Sequence, residues 1–179
     1  HNGNAAFYQT YPTGQFLRLG GAESATGYVN PGENRRTYFS DIGARILPST
    51  FTGPLGYFGI AQYPNESYYT MHSSAIKFDP RCYSVMFMGN GASFYKSTDG
   101  GGTFTTLLTS TDAGASLESF DISRSNPNVM YVFQRSNTLW DGKLWKTIDG
   151  GLNWTTCPNP PGTSGGDRRV GDITISATD

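Results

Sequence analysis

The sequence predicts an all-β fold built from a repeat of short antiparallel strands. Three observations predict it. Short runs rich in β-branched and aromatic residues alternate with turn residues, and no helical periodicity extends over a useful length. The composition, with 23 glycines and 14 % aromatic residues, fits many strands and tight turns. A turn motif occurs twice, as STDGGGTF at 97–104 and TIDGGLNW at 147–154, a shift of 147 − 97 = 50 residues. An internal repeat at such a period indicates a repeat architecture.

Each copy of the motif contains a hydroxyl residue, an Asp two residues later, two glycines and an aromatic residue. We expect the carboxylate to accept hydrogen bonds from backbone N–H groups one or two residues on, as in an Asx turn. The glycines permit positive φ without a steric penalty, and the aromatic ring anchors the next strand in an apolar layer. The predicted structural residues are Ser97, Asp99, Gly101, Phe104, Thr147, Asp149, Gly151 and Trp154.

This motif resembles the Asp-box, or BNR repeat, of the β-propellers in the sialidase, sortilin and xyloglucanase superfamily. The resemblance implies a β-propeller fragment made of four-stranded antiparallel blades with Asp-box turns. It also implies that Asp99 and Asp149 are structural, because the box lies at the periphery of a blade and away from the ligand face. Neither turn carries the several carboxylates that a calcium loop needs, so we expect no metal.

The N-terminal part of the chain matches the repeat less closely. Residues 1–19 are predicted to be a hairpin that ends one blade, and residues 20–60 a blade with a degenerate box in which Phe51 replaces the Asp. Residues 61–74 form an aromatic-rich connection to the next blade.

The C-terminal part carries both complete boxes. Residues 75–110 and 117–158 are predicted blades whose first strands lie at 75–78 and 119–123, and 170–179 match the first strand of a following blade. Because a propeller closes with about four to eight blades, we expect a piece of a larger propeller whose remaining blades are its partners. The alternative is a short chain that closes by forming oligomers.

Charge and composition exclude several classes of function. The net charge is −1 and no basic cluster is longer than two residues, which argues against nucleic-acid binding. No apolar run approaches 18 residues, so direct membrane insertion is not expected. Charged residues make up only 15 % of the chain, a composition common in secreted and cell-surface proteins. Cys82 and Cys157 fall in different predicted blades, which favours free or partner-paired thiols over a mutual disulfide.

The resemblance also implies where a ligand would bind. In such propellers the ligand face carries the loops between the second and third strands and the loops between blades, here including 109–116 and 134–141. An aromatic-rich connection on that face could stack on sugar rings, anchor a partner protein, or pack over its own blade. The candidate ligand-face residues are Glu23, Asp41, Tyr63, Tyr68, Tyr69 and Asp141.

We therefore predict a non-catalytic extracellular binding or scaffold propeller that uses no cofactor and binds a surface protein or a polysaccharide. The repeats are similar to those of large bacterial propellers exported by Bacteroidota. One alternative is a family 74 glycoside hydrolase of the xyloglucanase type, which needs two carboxylates facing each other across a groove. Another is a sortilin-like sorting receptor. For the hydrolase, the spacing selects no pair from the available carboxylates: Glu23, Asp41, Asp112, Asp141 and Asp167.

Overall fold

The computed structural model divides the chain into two compact units, His1–Ser74 and Ala75–Asp179. All regular structure among the residues that it describes is β-strand, which confirms the predicted all-β class. The described residues are 5–6, 14–15, 17–18, 27–32, 37–40, 44–46, 76–112, 114–135, 142–158 and 172–177.

The first unit contains two small antiparallel sheets. One is a two-stranded sheet and the other has three strands paired in chain order. The Asn30 side chain closes the end of the three-stranded sheet by accepting a hydrogen bond from the N–H of Gly32 at 2.8 Å. The degenerate box and the connection 61–74 lie outside the described residues. The strands are β1 (Ala5–Ala6), β2 (Leu17–Arg18), β3 (Gly27–Val29), β4 (Thr37–Ser40) and β5 (Ala44–Ile46).

The second unit contains two four-stranded sheets, each an antiparallel meander in chain order. This arrangement confirms the prediction of four-stranded antiparallel blades. We call the first sheet the upstream blade and the second the downstream blade. The upstream blade consists of β6 (Ile76–Asp79), β7 (Cys82–Asn90), β8 (Ser93–Ser97) and β9 (Thr105–Thr109). The downstream blade consists of β10 (Ser116–Ile122), β11 (Met130–Arg135), β12 (Gly142–Thr147) and β13 (Thr155–Cys157).

The first strands of the two blades differ by one to three residues from their predicted bounds, 75–78 and 119–123. The strands β6 and β10 are the first strands of adjacent sheets, and β10 contacts β6, β7 and β8. However, β10 begins at Ser116 rather than Ser119. A β-bulge between Leu117 and Ser119 breaks the alternation of side chains there, so the sequence pattern hides the start of the strand.

The hydrophobic core of the second unit lies between the two blades. Phe94 of the upstream blade packs against Phe120 of the downstream blade, with ring centroids 4.8 Å apart. Burial of an apolar side chain of this size contributes roughly 1.5–3 kcal/mol, so this layer provides much of the adhesion between the sheets. The residues of the cluster are Phe87, Phe94, Phe120, Ile122, Met130 and Val132.

The first strand of the downstream blade is also bound by polar contacts on both sides. Lys77 of β6 forms a 2.8 Å ion pair with Asp121 Oδ1. The other oxygen of Asp121 accepts the N–H of Ile175 at 2.6 Å, and Ser119 Oγ accepts the N–H of Ile173 at 3.0 Å. Residues 172–177 therefore lie along β10 without forming a strand of their own. Their assignment to a following blade stays a prediction.

Two further observations concern the described residues. Cys82 and Cys157 are both free, and Cys82 is exposed. In the part of the chain that the structure describes there is no helix with the length and apolar character needed to cross a membrane.

Candidate functional site

The two motif turns, which we call box turns (97–104 and 147–154), follow the third strand of each blade. In the first turn, Ser97 Oγ donates to Asp99 Oδ1 at 2.8 Å and accepts the N–H of Gly101 at 2.8 Å. Asp99 Oδ1 also accepts the N–H of Thr103 at 2.9 Å, and Oδ2 accepts the Thr103 hydroxyl at 2.8 Å. The hydroxyl and the carboxylate thus bind each other and close the turn from both sides.

The second turn repeats this network with different side chains. Thr147 Oγ1 donates to Asp149 Oδ1 at 2.7 Å and accepts the N–H of Gly151 at 3.1 Å. Asn153 donates its backbone N–H to Asp149 Oδ1 at 3.0 Å and its Nδ2 to Oδ2 at 2.7 Å. An amide in one turn therefore takes the place of the Thr103 hydroxyl in the other.

One detail of the expected turn chemistry is wrong. The carboxylate accepts its principal backbone hydrogen bond from a residue four positions later, rather than one or two. The reason is the pair of consecutive glycines with positive φ, 71° and 92° at Gly100 and Gly101 and 77° and 96° at Gly150 and Gly151. They reverse the chain so that the later N–H returns over the carboxylate.

These hydrogen bonds stabilise the charged form of both carboxylates. The backbone N–H of Thr103, then the hydroxyls of Ser97 and Thr103, lower the pKa of Asp99 from 3.8 to about 2. The backbone N–H of Asn153, then its side-chain amide and the Thr147 hydroxyl, lower the pKa of Asp149 to about 2. Carboxylates with such a low pKa are ionised at neutral pH, so they are poor candidates for a general acid.

The second box turn also contacts the upstream blade. Trp154 Nε1 donates to the carbonyl oxygens of Leu107 at 3.0 Å and Gly151 at 3.1 Å. The Trp154 ring lies edge-on to Phe94, with centroids 6.0 Å apart. A Cβ on Gly151 would lie 2.9 Å from Leu107 Cδ1, so the Leu107 side chain would have to shift, and the φ of 96° disfavours any residue with a side chain. The aromatic residue of this box therefore anchors one blade to the next.

The opposite end of the downstream blade, which we call the far end, has a different polar character. Arg135 Nε lies 3.0 Å from Glu118 Oε1, and the Glu118 and Arg135 side chains are only 4 % and 15 % exposed. The Ser116 hydroxyl donates to the same carboxylate oxygen at 3.1 Å. A second and more exposed ion pair joins Lys143 to Asp112 at 2.9 Å. Here each charge is matched by a charge from another strand or loop.

Strand pairing explains why these side chains meet. Ser116 pairs with Arg135 at the edge of the sheet, and Gln134 pairs with Lys143. Partners on neighbouring antiparallel strands point to the same face, so one face carries Ser116 and Arg135 and the other carries Gln134 and Lys143. Gln134 Nε2 donates to the carbonyl of Ala92 in the upstream blade at 2.6 Å. The far end is consequently a junction between both blades.

The sequence placed only part of this junction in candidate loops. The predicted ligand-face loops, 109–116 and 134–141, contain Ser116, Gln134 and Arg135. They do not contain Glu118. It lies at the β-bulge of β10, where alternation fails, and its partner is 17 positions away in sequence (135 − 118). The candidate ligand-face residues chosen from the sequence lie outside the described residues: Glu23, Asp41, Tyr63, Tyr68, Tyr69 and Asp141.

No group of three or more His, Cys, Asp or Glu side chains suited to a metal ion occurs among the described residues.

No protein-family profile matches the chain, and no curated protein matches it either. Solved structures do match. A crystal structure of an ancestral GH74 enzyme aligns with a TM-score of 0.54 and 19 % identity over 81 % of this chain. A GH74 enzyme of Niastella koreensis aligns with 15 % identity over 77 % of this chain and 29 % of that one, at a TM-score of 0.36.

The first alignment establishes a likeness of fold. This chain spans 20 % of the length of the ancestral GH74 enzyme. The alignment and the two four-stranded meanders together confirm the predicted class, an all-β protein with blades of the β-propeller type.

Proposed function

We propose that this chain supplies non-catalytic blades of a larger extracellular β-propeller that binds a neutral polysaccharide. One observation carries the non-catalytic part: every acidic side chain in the described residues is bound by the chain itself. The box turns hold two of these carboxylates, Asp99 and Asp149. Asp172 accepts a hydrogen bond from a hydroxyl. The other four are paired with a cation: Asp79, Asp112, Glu118 and Asp121.

The polysaccharide part of the proposal is supported by the fold neighbour and by the charge of the chain. The neighbour with a TM-score of 0.54 is a GH74 enzyme, and GH74 denotes a family of glycoside hydrolases. The chain has a net charge of −1 and few charged residues, which suits a neutral ligand better than an ionic one. A scaffold role toward another surface protein is compatible with the same rigid blades.

A second candidate function is hydrolysis of the polysaccharide. The same fold neighbour favours it. An inverting glycosidase needs two carboxyl groups about 6.5–9.5 Å apart across the substrate groove. In this chain such a pair would have to involve residues beyond the described part, and Asp41 and Asp141 are the first to test.

The test uses soluble xyloglucan as the probe. Native gel electrophoresis of the chain in gels with and without xyloglucan measures binding, and a reducing-sugar assay on the same samples measures hydrolysis. We expect retardation in the xyloglucan gel and no release of reducing ends. Absence of retardation would contradict polysaccharide binding. Release of reducing ends that is lost in Asp41→Ala or Asp141→Ala would establish the hydrolase instead.

A further inference from the structure

Residues 172–177 are bound to the downstream blade at one edge of their backbone. The N–H of Ile173 donates to Ser119 Oγ at 3.0 Å, and the N–H of Ile175 donates to Asp121 Oδ2 at 2.6 Å. The two donors are two residues apart, and so are the two acceptors. The segment therefore runs extended and parallel to β10.

The opposite edge of this segment, which we call the open edge, is exposed. Backbone N–H and C=O groups of an extended chain alternate between its two edges, so those of Thr174 point away from the contacts of Ile173 and Ile175. The Thr174 side chain is exposed, and none of the hydrogen bonds between described residues involves its backbone. An exposed edge with unpaired backbone groups is a template for another strand.

The sequence of the segment matches the first strand of each blade. All three contain an apolar, a polar and an apolar residue in succession. These triplets are Ile76-Lys77-Phe78 in β6, Phe120-Asp121-Ile122 in β10 and Ile173-Thr174-Ile175 in the segment. Asp121 contacts both neighbours, with Oδ1 on Lys77 Nζ and Oδ2 on the Ile175 N–H. The segment thus follows β10 in space as β10 follows β6.

The edge of β10 that corresponds to the open edge is the one that pairs with β11. Ser123, directly after β10, donates its N–H to Val129 O at 3.0 Å, so its backbone faces the second strand. By the same alternation the backbone of Asp121, two residues earlier, also faces β11, where it pairs with Tyr131. Thr174 corresponds to Asp121, so its backbone groups point to the place that a second strand would take.

The second strands of the two blades indicate the chemistry of such a partner. Met86, Phe87 and Met88 of β7, and Met130 and Val132 of β11, are at most 1 % exposed. A strand that is buried on both faces has a continuous apolar run rather than an alternation of apolar and polar residues. A strand suited to the open edge is therefore antiparallel to the segment and continuously apolar.

We propose that the open edge of residues 172–177 binds an antiparallel, continuously apolar strand that belongs to a following blade. The proposal rests on the larger propeller of the proposed function, but it does not depend on polysaccharide binding. The strand forms backbone hydrogen bonds with Thr174 and covers the exposed edge.

A fluorescent peptide with the sequence of residues 128–135 tests the proposal, because this sequence pairs with β10 in a defined register. Fluorescence anisotropy measures its binding to the full chain. N-methylation of the peptide at Tyr131 and Phe133 removes the N–H groups that face a first strand, and should weaken binding roughly tenfold. N-methylation at Met130 and Val132 is the matched control. It alters the other edge of the peptide and should leave the affinity unchanged.

Variants of the chain give a second measurement. Thr174→Pro removes the N–H of the open edge and should weaken peptide binding by a similar factor. Thr174→Val keeps this N–H and the β-branched shape, so it should bind like the wild type. Amide NMR signals of Ile173 and Ile175 show whether the segment of each variant stays on β10. In the wild type, bound peptide should slow hydrogen exchange at the Thr174 amide.

The outcomes separate this proposal from the proposed function. Weaker binding of the peptide methylated at Tyr131 and Phe133, with full binding of the control peptide, supports the open edge. Equal affinities of the two methylated peptides, or no binding of the unmodified peptide, overturn it. Neither result changes the xyloglucan assay, so failure of polysaccharide binding is observed independently.

Discussion

The two ends of the downstream blade use carboxylates in different ways. At the box end, Asp149 is bound by neutral donors that all lie within residues 147–153. At the far end, Glu118 and Asp112 are paired with the cations Arg135 and Lys143, which come from other strands. The box carboxylate shapes its own turn, whereas the far-end carboxylates connect separate segments of chain.

The two ends also differ in how completely their polar atoms are hydrogen-bonded. The box network gives both oxygens of the carboxylate hydrogen-bond donors and repeats at Asp99 with nearly the same distances. The far end keeps a buried acceptor at Gln134 and a buried donor at Arg135 without hydrogen-bond partners, although Arg135 is ion-paired with Glu118.

The largest effect is expected from Gly142→Ala at the far end. A Cβ at this position would overlap the ring of Phe133, which is fully buried and cannot yield easily. Overpacking of this kind lowers the free energy of unfolding by roughly 1–3 kcal/mol. Urea unfolding monitored by fluorescence measures the loss. Gly91→Ala measures backbone strain alone, because a Cβ there meets nothing within 4 Å while its φ of 53° costs a residue with a side chain about 1–2 kcal/mol. An unchanged stability of Gly142→Ala would show that the overlap with Phe133 is unimportant.

The next largest effect is expected from Asp149→Asn in the box turn. The substitution replaces a charged acceptor by a neutral amide, so the hydrogen bonds donated by Thr147 and Asn153 are weakened. The melting temperature should fall clearly. Asp112→Asn is the matched far-end control, since an exposed ion pair contributes only about 0–1 kcal/mol. A larger drop in Asp112→Asn than in Asp149→Asn would reverse the comparison.

The box carboxylates also predict a pH dependence. Their pKa values are lowered from 3.8 to about 2 in the folded chain, so their contribution to stability is complete above the unfolded value. It is lost as the pH falls from about 4 toward 2, because protonation then favours the unfolded state. Urea midpoints measured at pH 5, 3 and 2 should fall more steeply for the wild type than for D99N/D149N. Parallel curves would show that the boxes do not cause the acid sensitivity.

The smallest effect is expected from exchanging the last donor between the boxes. Thr103 and Asn153 donate from different side chains to equivalent carboxylate oxygens, at 2.8 and 2.7 Å. Thr103→Asn and Asn153→Thr should therefore leave the melting temperature nearly unchanged. A marked loss in either variant would mean that each turn is tuned to its own side chain.

The box turns could be predicted from the sequence because their contacts are local. The Asp, the hydroxyl and the two glycines lie within five residues, so a motif of eight letters contains almost the whole network. The strand order followed from the same repeat. Even here the carboxylate's partner four residues on was missed, since it depends on two successive positive φ angles.

The far end could not be predicted in the same way. Glu118 meets Arg135 only because a β-bulge shifts the register of β10, and Asp112 meets Lys143 through a loop between blades. No short pattern encodes either pairing. Gln134 lay in a predicted ligand-face loop, but its unpaired oxygen depends on the position of Ala92 in the upstream blade.

The central claim is that the two box turns are structural and take no part in ligand binding. Two-dimensional ¹H–¹⁵N NMR of the labelled chain, titrated with cellotetraose, tests it most directly. We predict that the amides of residues 97–103 and 147–153 keep their chemical shifts when the ligand binds. Shifts at the amides of the two box turns on binding would contradict the claim.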